Sequence, residues 1–158
     1  MRWAWVIASV LLLVGFSLSA TLAAVSRRPR PSPSLLDGRL RPCPQSNNCA
    51  CSEDSGASGT AALPFIGDAD QALALLRRVV VETGGMVDSA EVAHGDYLYA
   101  RYVTTFFGFV DDFEARLDRR ANTLHLRSQS RVGLADRGVN RRRLEAIRRA
   151  FAAAQSPG

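Results

Sequence analysis

Residues 3–25 form an uncharged, mainly apolar run of 23 residues. A helix of about 20 such residues crosses the hydrocarbon core of a bilayer, and the run exceeds the ~7–15-residue apolar region of a cleavable signal. Small residues near its end leave cleavage open, and the run has no cysteine for lipid attachment at a lipobox. We therefore expect residues 1–25 to be a membrane anchor or signal segment. The three arginines that follow, taken alone, favour an inward-facing C-terminal side.

The basic charge of the chain lies mostly outside its folded part. The net charge is +5, lysine is absent, and four of the 20 arginines lie in residues 1–34 without any acid. Residues 35–158 hold 16 arginines against 15 acids. Because a nearly neutral domain lacks the basic surface that nucleic-acid binding requires, we expect no nucleic-acid partner.

Composition divides the remaining chain into two parts. Residues 26–42 carry four prolines among arginines and serines, which is typical of an extended linker. Residues 43–158 are long enough for a single domain.

Two segments of this domain have helical periodicity. Asp68 and Gln71 have the spacing of a capping box, and the apolar face behind them continues to Val80. The second helix is predicted to start at Asn140. Its apolar face consists of Leu144, Ile147 and Phe151.

Strand-like alternation fills the chain between the two helices. The segments with this pattern are residues 86–92, 97–107, 109–118 and 123–131. We therefore expect an α+β domain in which two helices pack on one face of a four-stranded antiparallel sheet.

The last two predicted strands form a hairpin. Their apolar faces match only if the residue numbers of each opposite pair sum to an odd number, and this parity restricts the register. A slip of one residue would turn every side chain to the opposite face. A four-residue loop pairs Asp118 with Thr123 and sets Glu114 opposite Arg127 on the outer face, as an exposed ion pair. Loops two residues longer or shorter satisfy the same parity.

The same register places Asp111 opposite Ser130 on the apolar face. A buried carboxylate is unfavourable unless it is paired, and the following loop offers Arg131, Asn140 and Arg141 as donors. One interpretation is a recessed site that holds an anion such as a carboxylate or phosphate. The other is a satisfied network that attaches the last helix to the sheet.

Three cysteines precede the first predicted helix. In an exported domain, Cys43 could pair with Cys49 or with Cys51. Zinc would need four ligands, the C-x-x-C spacing is absent, and His94 and His125 are predicted in a turn and on an outer strand face. We therefore expect a disulfide and no metal.

No catalytic or cofactor motif is present in the sequence. Ser128 and Ser130 have no histidine that the pattern would place beside them, which disfavours serine chemistry. The enzymatic alternative is a small hydrolase-like protein that uses Asp111 or Asp112 as acid or base. We expect a non-enzymatic domain without a cofactor.

The last predicted helix has a basic side, formed by arginines at 141–143, 148 and 149. This side is either a solvated surface or a contact for acidic lipid headgroups.

Three sequence blocks resemble the DUF1499 family, whose function is unknown. They are Cys43-Pro-x-Ser-x-Asn-Cys49, Phe109-x-Asp-Asp-x-Glu114, and Arg127-Ser-x-Ser-Arg-x-Gly-x-x-Asp-x-Gly-x-Asn-Arg-x-Arg143. The resemblance extends from about Leu40 to Phe151. Asn47 replaces the usual proline, and Cys51 replaces a small residue, which leaves the disulfide pairing open.

The resemblance implies an extracytoplasmic, membrane- or lipid-anchored setting and supplies no activity. We therefore expect a membrane-anchored domain that is periplasmic or otherwise extracytoplasmic. The buried polar cluster indicates that it binds an anionic small molecule, a lipid headgroup or a protein through the region of Asp111, Arg131 and Asn140. The ligand-binding candidates that the motifs indicate are Asp111, Asp112, Glu114, Arg127, Ser128, Ser130, Arg131, Asp136, Asn140 and Arg141.

Overall fold

The computed structural model describes residues 2–28, 35–88, 95–105 and 107–155. It has the predicted α+β class, with an N-terminal apolar helix, two further α-helices and an antiparallel sheet. The elements are α1 (Arg2–Ser26), β1 (Cys49–Cys51), a 3-10 turn (Gly56–Ser58), β2 (Leu63–Pro64), α2 (Ala69–Glu82), β3 (Met86–Val87), β4 (Tyr97–Val103), β5 (Val110–Asp118), β6 (Thr123–Ser130) and α3 (Val139–Gln155).

Helix α1 is long and apolar enough to cross a membrane, a property that signal sequences share. Its 25 residues span about 37 Å at ~1.5 Å per residue, which exceeds the ~30 Å hydrocarbon core of a bilayer. The buried residues of α1, Ala23 and Ser26, lie in its last turn. The helix is therefore compatible with membrane anchoring, and its end is part of the folded domain.

Within the described residues the sheet has six strands rather than the predicted four. Its order is β1–β6–β5–β4–β3, and β2 also pairs with β6. Strands β3 to β6 correspond to the predicted ones, whereas β1 and β2 are additional. These two strands have three and two residues, too few for an alternation to be recognised in the sequence.

The predicted register of the β5–β6 hairpin is confirmed. The predicted pairs that the structure contains are Asp118 with Thr123, Glu114 with Arg127, and Asp111 with Ser130. Of the first predicted strand, Met86 and Val87 form β3 and Asp88 follows it outside the strand. Residues 89–92 and His94 lie outside the described residues.

Strand β4 ends at Val103, earlier than predicted, because a tight loop follows it. The carbonyl of Thr104 accepts from the Gly108 amide at 2.9 Å, and Thr104 Oγ1 accepts from the Phe109 amide at 2.9 Å. Gly108 has a φ of 66°, a conformation that glycine adopts without steric conflict. The loop stacks the rings of Phe107 and Phe109 at a centroid distance of 5.5 Å.

Helices α2 and α3 contact each other and the sheet. Asp68 caps α2 as predicted, since its Oδ1 accepts from the Gln71 amide at 2.9 Å. Helix α3 begins at Val139, one residue before the predicted start. The placement of both helices on one face of the sheet stays a prediction. The largest fully buried apolar residues of the shared core are Leu76, Val79, Val80, Phe113, Leu124, Leu126, Leu144, Ile147 and Phe151.

The opposite face of the sheet, called the second face below, is also covered. The predicted Glu114–Arg127 pair forms, but its predicted exposure is wrong, because Glu114 is 0% and Arg127 6% exposed. The segment that precedes β1 packs here and removes the pair from water. The cluster on this face consists of Leu40, Cys51, Tyr97 and Tyr99.

Cys43 and Cys49 form the disulfide, with Cα atoms 5.7 Å apart. Of the two pairings left open by the sequence, the structure contains this one, and Cys51 is a fully buried free thiol. Burial raises the pKa of the Cys51 thiol to about 11. The thiol is therefore protonated at neutral pH.

Alkylation is expected to distinguish the three cysteines. After mild reduction of the folded protein, iodoacetamide at about pH 8 should modify Cys43 and Cys49 and leave Cys51 unmodified, because the thiolate is the reactive form. Peptide mass spectrometry measures each site, and a urea-unfolded sample in which all three react is the control. Equal labelling of Cys51 and Cys43 in the folded protein contradicts the buried, protonated thiol.

Candidate functional site

The predicted site residues lie on both faces of the sheet. Side chains alternate between faces along a strand. Asp111 shares the core face with Phe113, whereas Asp112 and Glu114 lie on the second face. The Asp-Asp-x-Glu block therefore supplies carboxylates to two separate networks.

The network on the core face is centred on Asn140, which is fully buried. Asn140 Nδ2 donates to Ser130 Oγ at 2.9 Å and to Asp136 Oδ2 at 2.7 Å, and its Oδ1 accepts from Ser128 Oγ at 2.6 Å. The first turn of α3 is thereby bonded to β6. The Asn140 network, as it is called below, consists of Asp111, Ser128, Ser130, Asp136, Asn140 and Arg143.

Arg143 is the cation of this network. Its Nη2 lies 2.7 Å from Asp111 Oδ2, and its Nη1 donates to Ser128 Oγ at 2.9 Å. Its guanidinium carbon lies 4.4 Å from the centroid of the Tyr102 ring, a distance that gives a favourable cation–π contact. Arg143 therefore compensates the buried charge of Asp111. The donors expected from the sequence were Arg131, Asn140 and Arg141.

The sequence-based prediction overlooked Arg143 but contained a signal for it. Arg143 follows Asn140 by three residues and precedes Ile147 by four. Residues at this spacing share one face of a helix. Since Asn140 and Ile147 are both buried, the arginine between them is directed toward the sheet rather than to solvent.

Asp136 caps the start of α3. Its Oδ1 accepts from the Gly138 amide at 2.8 Å, and its Oδ2 accepts from the Asn140 amide at 2.7 Å. Free amide groups at a helix N-terminus are the groups that would bind an anion. Because Asp136 already bonds two of them, this end of α3 is a poor site for an anionic ligand.

The second-face network contains the predicted donor Arg131. Its Nε donates to Asp112 Oδ1 at 2.8 Å, and the Tyr99 hydroxyl donates to the same oxygen at 2.6 Å. The predicted contact of Arg131 with Asp111 is wrong, because Arg131 follows the core-facing Ser130 and is turned to the other face. Burial, and then the bond to Asp112, raise the pKa of Tyr99, which keeps its hydroxyl a donor.

A second ion pair on the same face joins β5 and β6. Arg127 Nη1 lies 2.5 Å from Glu114 Oε2, and the Tyr97 hydroxyl donates to Glu114 Oε1 at 2.9 Å. Among the described residues, Arg127 Nε is the buried side-chain nitrogen that has no hydrogen-bond partner. Glu114 is therefore the main compensation for the charge of Arg127.

Arg131 also joins the domain to the end of α1. Its Nη1 donates to the carbonyl of Ser26 at 2.9 Å, and Ser26 Oγ accepts from the Val110 amide at 3.2 Å. Arg27 Nε donates to the carbonyl of Gly108 at 3.1 Å. Strand β5 and the loop before it are therefore bonded directly to the last turn of α1.

Arg141 donates hydrogen bonds to a loop and not to the predicted partner, Asp111. It donates to the carbonyl groups of Gly59 at 3.0 Å and Ala57 at 2.6 Å, so the predicted donation to Asp111 is wrong. Arg141 lines a polar cleft of about 430 Å³ beside the disulfide, together with Asp136.

A second cavity, called the anchor cavity below, lies where α1 meets the domain. Its volume is about 260 Å³. Its apolar walls include Leu22, Phe109, Val132 and Val139. The polar groups that line it are carboxylates and hydroxyls, from Thr104, Asp111, Ser130 and Asp136, and the lining contains no arginine. The cavity therefore combines an apolar lining, to which α1 contributes Leu22, with a set of hydrogen-bond acceptors.

The site does not pair a nucleophile with a base in the described part of the chain. Ser128 and Ser130 are bonded to Asn140. His125 lies on the second face, with Nδ1 3.4 Å from Ser52 Oγ, and burial lowers its pKa. Within the described residues, no group of three or more His, Cys, Asp or Glu side chains is arranged to hold a metal ion.

Comparison with known proteins identifies the family. A family model described as a protein of unknown function (DUF1499) matches residues 39–151. No curated protein and no solved structure matches the chain. The matched span contains both polar networks and the disulfide. This chain therefore belongs to the DUF1499 family.

Proposed function

We propose that this protein is a membrane-anchored, non-enzymatic binding domain, and that its ligand is an amphiphile with a hydrogen-bond-donating head held in the anchor cavity. The observation that carries the proposal is the composition of this cavity. Leu22 of the anchor helix and the acceptors Asp111 and Ser130 line the same 260 Å³ space. Apolar walls with a few convergent polar groups are typical of small-molecule sites.

The bonds between α1 and the domain support an anchor that is retained. Ser26 is fully buried, and its carbonyl and hydroxyl bond to Arg131 and to the Val110 amide. Removal of α1 as a signal would leave these donors without their partners, which is unfavourable for buried groups.

We place the folded domain on the extracytoplasmic side of the membrane. Disulfides persist in oxidising compartments, and Cys43 and Cys49 are joined. The setting implied by the family resemblance agrees with this placement.

The cavity lining favours a ligand whose head group donates hydrogen bonds. The anionic ligand that we expected from the arginines in the sequence fits it less well. Arg131 is bonded to Asp112 and to Ser26, and Arg143 is bonded to Asp111. Asp111 and Asp136 line the cavity, and carboxylates accept hydrogen bonds and attract cations. An ammonium, amide or hydroxyl head fits this lining better than a phosphate does.

A hydrolase-like use of Asp111 or Asp112 has less support. Each carboxylate lies 2.7 Å from an arginine nitrogen, Arg143 for Asp111 and Arg131 for Asp112. A general acid or base needs access to the proton that it transfers. Carboxylates that are bonded to arginines on opposite faces of the sheet also cannot act together on one substrate.

Photolabelling tests the proposed ligand. A short alkylamine that carries a diazirine is expected to label the full chain in lipid nanodiscs at the peptides that contain the lining residues Thr104, Phe109, Val132 and Val139. Peptide mass spectrometry locates the label. Ala135 is exposed and lines the cavity, so Ala135→Trp should fill the space and reduce labelling several-fold.

Two controls make this test specific. Ala153→Trp introduces the same side chain at an exposed position near the end of α3 and should leave labelling unchanged. The matching alkylcarboxylate should label the cavity less than the amine, because of Asp111 and Asp136. Labelling that is spread over the surface, or that is equal in Ala135→Trp and wild type, would overturn the cavity as the binding site.

A further inference from the structure

We propose that two loops next to α1 form a membrane-docking surface, which lies on the bilayer that α1 spans. The described residues of the two loops are 104, 105, 107–109 and 132–135, and their exposed apolar side chains are Phe107 and Leu134. This inference rests on the anchoring by α1 in the proposed function and adds a second, non-helical contact with the same membrane.

The length of α1 places these loops at the membrane boundary. From Trp3 to Leu22 the helix has 20 residues, which at ~1.5 Å per residue span about 30 Å, the thickness of the hydrocarbon core. With Trp3 at one edge of that core, Leu22 lies at the other edge. Phe109 and Val132 line the anchor cavity together with Leu22, so the loops that carry them lie beside the same boundary.

The exposed side chains on these loops are those that a bilayer surface accepts. Leu134 is 84% exposed and Phe107 is 49% exposed. Phe107 stacks on Phe109, which lines the anchor cavity together with Leu22 of α1, and Leu134 lies between the cavity-lining residues Gly133 and Ala135. Both exposed side chains therefore lie on loops beside α1. Because α1 spans the bilayer in the proposed function, the bilayer is the partner that these loops would meet.

The charges around the end of α1 also suit a membrane surface. Arg27 and Arg28 are exposed and follow the last turn of the helix. Juxtamembrane arginines are attracted to anionic lipid headgroups. Arg27 is also bonded to the carbonyl of Gly108, which holds the loop that carries Phe107 at the level of the headgroups.

The far end of the domain offers a matched control. Ile66 is 93% exposed, and its amide donates to Gln155 Oε1 at 3.1 Å. Helix α3 runs from Val139, beside the anchor cavity, to Gln155. Its 17 residues separate the two ends by roughly 25 Å, so Ile66 should remain in water when Leu134 contacts lipid.

Tryptophan quenching by brominated lipid tests the docking surface. The full chain is reconstituted in phosphatidylcholine–phosphatidylglycerol vesicles whose phosphatidylcholine carries bromine on its acyl chains. In a background with Trp3→Phe and Trp5→Phe, single tryptophans are introduced by Leu134→Trp, Phe107→Trp or Ile66→Trp. The tryptophans of the first two variants should be blue-shifted and quenched at least twofold, and that of Ile66→Trp should be unquenched.

The outcomes separate docking from anchoring. Quenching of Trp3 and Trp5 in the otherwise unchanged protein reports insertion of α1, and its absence would remove the anchoring on which both proposals depend. If α1 is inserted but Leu134→Trp and Phe107→Trp behave like Ile66→Trp, the docking surface is wrong and the anchored domain stands. Leu134 is exposed, so Leu134→Trp keeps the test valid if Phe107→Trp does not fold.

Discussion

Replacing Glu114 with alanine is expected to lower the free energy of unfolding by about 3–5 kcal/mol, the usual effect of removing one partner from a buried ion pair. Glu114 is fully buried, and its Oε2 lies 2.5 Å from Arg127 Nη1. The substitution leaves the charge of Arg127 in a buried site where its Nε already has no partner. It also removes the acceptor of the Tyr97 hydroxyl.

Urea titration of the full chain in detergent measures this effect, and two further variants interpret it. The double variant Glu114→Leu/Arg127→Met should recover most of the loss, because apolar residues of similar volume can replace a buried pair. Arg119→Ala breaks bonds to Asp70 and Asp96 on the exposed surface and should change stability little. A Glu114→Ala protein that is as stable as Arg119→Ala would show that water reaches the second face.

The contrast between register and burial shows what the sequence could determine here. The pairing of Glu114 with Arg127 followed from strand alternation and a four-residue loop, and the structure contains it. The burial of the pair depends on the segment before β1, which has no periodicity and which packs Leu40 over the second face. Local patterns determine which residues are opposite each other, but only tertiary packing determines whether water reaches them.

The assignment of arginines to carboxylates failed for a related reason. Asp111 was expected to find a donor among Arg131, Asn140 and Arg141, but Arg131 lies on the opposite face and binds Asp112. Asp111 pairs with Arg143 from α3. This contact depends on how a helix packs on the sheet, which alternation within the strands does not specify.

The anchor cavity lay beyond what the sequence could predict. It combines Leu22 with residues about 110 positions later, such as Val132 and Ala135. Nothing in the apolar run of α1 distinguishes its last turn from the rest, although Ser26 is buried in the domain. Long-range contacts of this kind become visible only in three dimensions.

The isosteric change Asn140→Asp is expected to be strongly and pH-dependently destabilising. Asn140 Nδ2 donates to the carbonyl of Asn48 at 2.9 Å and to Asp136 Oδ2 at 2.7 Å. An ionised carboxylate at this position has no donor for either acceptor and adds a second negative charge beside Asp136. With ~1–3 kcal/mol for each unsatisfied buried group, the loss at neutral pH is on the order of 4 kcal/mol.

The destabilisation depends on pH because the fold tolerates the protonated form of the introduced carboxyl better than the ionised form. Arg143 donates to Asn140 Oδ1 at 2.6 Å and favours an ionised carboxyl here, but its charge is already paired with Asp111. Burial and the neighbouring Asp136 favour the protonated form, which can still donate one hydrogen bond, so we expect folding to raise the pKa of the introduced carboxyl above its unfolded value of about 3.9. The loss of unfolding free energy relative to wild type is therefore smallest below the unfolded pKa. It grows as the pH rises through the folded pKa. Urea titrations of both proteins between about pH 4 and pH 8 measure the difference. Asn140→Ala, which lacks the carboxyl, should show a deficit that does not vary with pH.

This result bears on whether the Asn140 network is a clamp or part of a binding site. Asn48 Nδ2 donates to the carbonyl of Gly133 at 2.6 Å, and Asn140 holds Asn48 and Asp136 in place. Gly133 and Asp136 line the anchor cavity. A pH-independent deficit in Asn140→Asp would mean that water solvates the new charge and that the network does not seal this wall. The expected pH-dependent deficit instead makes the network a structural clamp that shapes the cavity, so the two interpretations of the polar cluster are complementary.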